Sequence, residues 1–185
     1  MHVRLTRQGS ELRFGWWEIH NGLAGAGDFL FGALRGQRSV EPQLVTLASV
    51  CEGYHRSFHD SLAIDAEKHT ALTEAMLEAV QDDPEAYGQY ERALRHANEM
   101  NQQQQLHHVL TRAGEVVEEL GVKTGRLAEA VVVTRHCFVH HGDRDSRVIT
   151  GGPNLWEANQ LLILALRCSL LLDLGLTRGA AWPKS

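Results

Sequence analysis

The chain has 185 residues, 43% hydrophobic and 22% charged, a balance that supports one folded domain with its own core and excludes a disordered chain. Its formal net charge of −5 counts against a protein that coats itself in nucleic acid, so binding through phosphates requires a local basic patch. Three scattered cysteines, Cys51, Cys137 and Cys168, form no CxxC pair and suit a reducing, cytoplasmic compartment better than a disulfide framework.

The first 16 residues do not read as helix. His2–Thr6 and Glu11–Phe14 fit short strands around the turn Gln8-Gly9-Ser10, or the tail of an upstream domain. No basic segment followed by an apolar one opens the chain, so a secretory signal is not expected. From Trp16 to Gly36 an apolar stretch carries Gly22, Gly25, Gly27 and Gly32, each costing roughly 1 kcal/mol against alanine in a helix, and so reads as one broken helix. Residues 1–36 are therefore expected to form an irregular, partly helical extension, 37–179 a helical domain and 180–185 a tail.

Pro42 suits the first turn of the next helix, where its missing N–H is not needed. Leu44, Leu47, Ala48, Cys51 and Tyr54 then share one helical face. Asp65 is the expected cap of a helix with an apolar stripe of Leu72, Met76, Leu77 and Val80, and Asp83-Pro84 opens another through Tyr87, Tyr90 and Leu94. Gln102–Gln105 is a polar joint or a continuing turn. Beyond it Leu106, Val109, Leu110, Ala113, Val116, Val117 and Leu120 predict one amphipathic helix ended by Gly121.

Gly125–His141 follows. Its β-branched triplet Val131–Val133 hints at a strand, but Leu127, Ala130, Val131, Thr134 and Phe138 keep the helical period. After a glycine- and charge-rich loop, 142–152, a last helix is expected from an Asn154 cap to a Gly175 stop. Its greasiest part, Leu161–Leu176, is interrupted by Arg167 and Asp173, too short and too charged for a membrane span. The expected fold is all-α, a bundle of about six or seven helices behind an irregular N-terminal segment, with no internal repeat and no clear linker.

The chemistry concentrates in Thr134-Arg135-His136-Cys137-Phe138-Val139-His140-His141-Gly142. His136 and His140 are four apart and share a helical face, with Arg135 beside them and Asp143, Arg144, Asp145 and Arg147 in the loop beyond. An arginine grips phosphate oxygens in a fork, and a histidine exchanges protons near neutrality. Together they supply a proton acceptor for a 2′-OH, a donor for the leaving oxygen and a cation for a charged phosphorane.

Arg135-His136 followed after three residues by His140 matches the arginine, polar residue and histidine motif of HEPN domains. The surroundings resemble the HEPN domain of the ApeA-like group: an amphipathic helix, Leu106–Leu120, precedes the motif helix, and a leucine-rich helix follows to Leu170–Leu176. Glu52-Gly53-Tyr54-His55-Arg56 is similar to a segment that group also carries, and the likeness spans roughly residues 40–178. It implies a helical core that dimerises so that two copies of Arg135 and His140 face one another. It also implies metal-independent cleavage of RNA to a 2′,3′-cyclic phosphate and a 5′-OH, with no cofactor, in bacterial anti-phage abortive infection. His136 stands where asparagine is commoner. The chain begins about where such a protein would still be in its N-terminal domain, so it reads as a fragment or as a short relative, with an upstream sensor domain or a regulatory partner left open.

On these grounds Arg135, His140 and His136 are the catalytic candidates, with His141, Arg144, Glu52 and Arg56 as possible additions. Simpler readings stand beside them. Cations at a helix C-terminus favour its dipole without any catalysis. Glu52, Tyr54, His55 and Arg56 flank the same cleft or form the solvated side of a helix. His107-His108 and Arg95-His96 read as helix-face residues, Cys51 and Cys168 as buried thiols, and Trp16, Trp17 and Trp156 as core or dimer packing. His136, Cys137, His140, His141 and Asp143 offer zinc donors, but the adjacent His136 and Cys137 point apart, so no metal is expected. The alternatives to a nuclease are a non-catalytic module that binds RNA, a nucleotide or a protein, and a toxin silenced by a partner.

Overall fold

Helix α1 (Val40–Phe58) forms where apolar residues recur every three or four positions, and Leu44, Leu47, Ala48, Cys51 and Tyr54 are all buried along it. Pro42 sits in its first turn, as its sequence position predicts. The computed structural model describes residues 39–140 and 145–176. The expected strands and broken helix before residue 37, and the tail 180–185, lie outside the described residues. Six further helices follow: α2 (Ala66–Glu78), α3 (Pro84–Leu94), α4 (Gln102–Arg112), α5 (Glu115–Glu118), α6 (Thr124–His140) and α7 (Gly152–Asp173). No strand occurs among the described residues, and the fold is the all-α bundle that the sequence predicts.

Contacts divide the chain into two units, Asp60–Asn101 and the remainder. In the larger unit α1 packs on α4, α6 and α7, and α4 packs on α6 and α7. One apolar cluster fills the space between them, built from Leu44, Leu47, Leu106, Leu110, Val131, Leu162 and Leu166. Buried Asn159 of α7 donates to the Val40 carbonyl (3.0 Å) and to the Gln43 side chain (3.1 Å), tying the first turn of α1 into place. By length and composition α7 could cross a membrane, being 22 residues long with a mean hydropathy of 1.3 over its most apolar window. That makes it longer than the stretch judged too short from sequence. More than half of that window, 56%, is packed inside the chain, the environment of a core helix.

Two helix limits differ from expectation, each because a glycine turns the backbone. The stretch 106–120 is two helices: Gly114 takes φ 56°, breaking α4 from α5, and Leu120 is left exposed. Gly121 (φ 71°) ends α5 as predicted. At the start of α7 the cap is Gly151 (φ 85°), not Asn154; Asn154 lies inside the first turn and its side-chain Nδ2 donates to the Thr150 carbonyl at 2.9 Å. Gly175 (φ 79°) closes α7 as expected.

The smaller unit is a helical hairpin of α2 and α3. Asp65 caps α2 by accepting from the Glu67 and Lys68 amides, and Asp83 caps α3 by accepting from those of Glu85 and Ala86, with Pro84 next. The expected apolar stripe of α2 is not a core, however: neither helix contains a buried residue, and Leu72 and Met76 are 49% and 55% exposed. Two short helices have too little volume to cover their own stripes.

Candidate functional site

The last turns of α6 carry the motif. Thr134, fully buried, donates to the Ala130 carbonyl (2.6 Å) and accepts from the Ile149 amide (2.8 Å), so the loop after α6 is pinned one residue before Arg135. His136 and His140, one turn apart on the exposed face, have ring centroids 4.5 Å apart. Arg135 turns toward α1, its Nη1 3.7 Å from Glu52 Oε2 and its side chain 29% exposed. The Arg135 Nε is buried without a hydrogen-bond partner.

Glu52 is the hub of this side. Its carboxylate also accepts from Gln102 Nε2 (2.7 Å) and pairs with Arg56 at 3.0 Å. One acidic side chain therefore gathers α1, the start of α4 and the end of α6. Arg135, His136 and His140 line one cleft of about 410 Å³ with Gln102, Asp145 and Arg147, and Val132, Val133 and Val139 add apolar wall. At its rim Arg147 donates through Nε to Asp145 (2.9 Å) and through Nη1 to Glu129 (2.7 Å). Hydrogen bonds from Arg147 hold the Asp145 carboxyl well below the usual range, and the same bonds raise the Arg147 guanidinium further. At this exposed rim the Arg147 cation is therefore shared between two carboxylates, Asp145 and Glu129, and adds no net positive charge to the cleft.

The structure brings together Arg135, His136, His140 and Glu52. Arg56 pairs with Glu52 but is largely exposed, and it is not among the cleft's lining residues. His141 and Arg144, like Asp143 of the zinc set, lie outside the described residues. Among the described residues no group of three or more His, Cys, Asp or Glu is placed to hold a metal ion. Tyr54 and His55 neither flank the cleft nor face solvent; both are fully buried. His108 is no simple face residue either, since its ring meets that of His55 edge-on at 4.8 Å. Cys51 and Cys168 are buried thiols, each pushed up by desolvation. Trp156 is exposed, which removes the core reading and leaves that of dimer packing.

Sequence reasoning missed Gln102, because a run of four glutamines reads as a joint until α1 is seen beside it. It also left Asp145 and Arg147 without roles. Their spacing, two residues apart in a charged loop, was the available signal.

A helical bundle that presents an arginine, a polar residue and a histidine five positions on at a helix end has the build of a HEPN domain. The Apea-like HEPN family matches residues 45–180, and the chain belongs to that family. Neither the curated proteins nor the solved structures give a match. Membership implies a nuclease or RNA-related role, often in defence against phage. HEPN domains are commonly ribonucleases, and they often bind RNA and dimerise.

Proposed function

We propose that the chain is a metal-independent endoribonuclease acting as a homodimer in anti-phage defence. The observation that carries this reading is the convergence of Arg135, His136 and His140 on one cleft, with Glu52 orienting Arg135 from a neighbouring helix. A splayed or buried pair would have favoured a binding module instead. In the proposed reaction one histidine, His140, removes the 2′-OH proton, and the freed oxygen attacks the adjacent phosphorus. The guanidinium of Arg135 stabilises the dianionic phosphorane, and the 5′-oxygen leaves with a proton from a histidine, yielding a 2′,3′-cyclic phosphate and a 5′-OH. His136, 4.5 Å from His140 ring to ring, orients it or shares the proton traffic. In a dimer the second copy's Arg135 and His140 would supply the complementary groups.

A second reading draws on Glu52: a carboxylate already paired with Arg135 also suits a module that binds RNA, a nucleotide or a protein without cutting. The experiment is incubation of the purified chain with total RNA in EDTA, beside Arg135→Ala and His140→Ala. Cyclic-phosphate ends from the parent alone are expected, with losses of at least about a hundredfold in the variants. Full cleavage by both variants would refute the assigned roles, and RNA bound but uncut by the parent would establish the second reading.

A further inference from the structure

Away from the cleft, a second group of titratable side chains joins the ends of three helices. From α1 come Tyr54, His55 and His59, from α4 His108 and Arg112, and from the last turn of α7 Asp173. The Tyr54 hydroxyl donates to Asp173, whose other oxygen pairs with Arg112. His59 Nε2 lies 3.2 Å from the Tyr54 hydroxyl and 3.9 Å from Asp173. The three imidazoles crowd together, with ring centroids 4.8, 5.1 and 5.5 Å apart. Their surroundings range from buried to partly exposed: Tyr54 and His55 are fully buried, the His59 side chain is 13% and that of Arg112 27% exposed, and His108 Nδ1 and Arg112 Nε are buried without hydrogen-bond partners.

We infer that this cluster is an acid-sensitive latch, closed while His59 and His108 are neutral and released as they take up protons. One carboxylate, Asp173, already serves Arg112, Tyr54 and His59, and among the described residues no second carboxylate is paired with His59 or His108. A proton on His59 or His108 places a cation beside the Arg112 guanidinium in a largely buried group. Burial first, and then Arg112, holds both His59 and His108 below the ordinary histidine value; Asp173 opposes this at His59, and His107 adds to it at His108. The C-terminal dipole of α1 would favour protonated His59, but desolvation outweighs it. The sign follows. The unfolded chain binds these protons more readily than the folded one, so stability is complete above about pH 6.5 and is lost as the pH falls through that value.

Because α1 also carries Glu52 and α4 also carries Gln102, the helices that the latch joins are those that orient Arg135. The latch itself does not depend on catalysis, and its test reads stability and protonation alone. Thermal unfolding of the full chain is followed from about pH 7.5 to about pH 5.5, beside a His59→Gln/His108→Gln double variant. The expected result is a wild-type midpoint that drops on acidification and a clearly shallower drop in the double variant. Equal slopes overturn the inference. Should the double variant not fold, the imidazole C–H signals of His59 and His108 in the wild-type chain decide: midpoints below about 6.5 support the latch, and midpoints at or above that value overturn it.

Discussion

Replacing Thr134 by valine isolates the hydroxyl that fixes the loop beside Arg135. Valine matches threonine in shape and branching, so packing and helix preference hardly change. Two hydrogen bonds are lost, and they are unequal. The Ala130 carbonyl is also within reach of its helical partner, the Thr134 amide, and loses a secondary donor only. The Ile149 amide loses the hydroxyl that satisfies it at 2.8 Å in a partly buried position. An unsatisfied buried donor costs about 1–3 kcal/mol, so a destabilisation of about 2 kcal/mol is expected. For a chain of this size that lowers Tm by about 4–8 °C. Thr134→Ser keeps the hydroxyl and loses one methyl from a buried site, for about 1 kcal/mol. Thermal or urea unfolding of the three proteins should give the order threonine, serine, valine. A valine variant within about 0.5 kcal/mol of the parent would refute the assignment of the hydroxyl as the loop's anchor.

Glu52→Gln should leave the chain folded, because a part-exposed ion pair is worth at most about 1 kcal/mol, yet slow RNA cleavage about tenfold or more by loosening Arg135. Unchanged cleavage would mean that Arg135 is held by other groups. Two glycines should respond oppositely to alanine. Gly88, inside α3 with open space where a Cβ would stand, should gain about 0.5–1 kcal/mol. Gly121, at φ +71°, should lose about 1–2 kcal/mol although its surroundings are equally open. Denaturant midpoints test both, and a loss at Gly88 with none at Gly121 would contradict the backbone argument.

The helices were legible wherever burial repeats at helical spacing, and the caps at Asp65 and Asp83 were legible because a short acidic side chain before a first turn has one obvious use. The motif helix was found for the same reason, since Arg135, His136 and His140 lie close in sequence. What lay hidden depends on distance along the chain. Gln102 gains meaning only because Glu52, fifty residues earlier, meets it across a helix interface. The periodicity places Tyr54 on the buried face, but His55 beside it looks like part of a polar run, and only the fold reveals that Asp173 receives the one hydroxyl and His108 the other ring. The glycine at 114 was misjudged because local pattern continues through it, whereas its left-handed backbone does not.

The hairpin unit has its own clasp. Leu62 and Glu99 form an antiparallel bridge, the Met100 amide donates to the Ser61 carbonyl, and the Ala63 amide donates to that of Asn98 at 2.8 Å. The buried Asn98 side chain repeats the pattern, accepting from the Ile64 amide and donating to its carbonyl. The segment therefore begins and ends at nearly one point, like a bead tied on by its own string. Its length can grow, shrink or be exchanged without altering the spacing that α1 and α4 require, since closing a longer loop adds only about 0.6 kcal/mol per doubling. A lineage could vary whatever these forty-odd residues touch while the chemistry-bearing helices stay as they are.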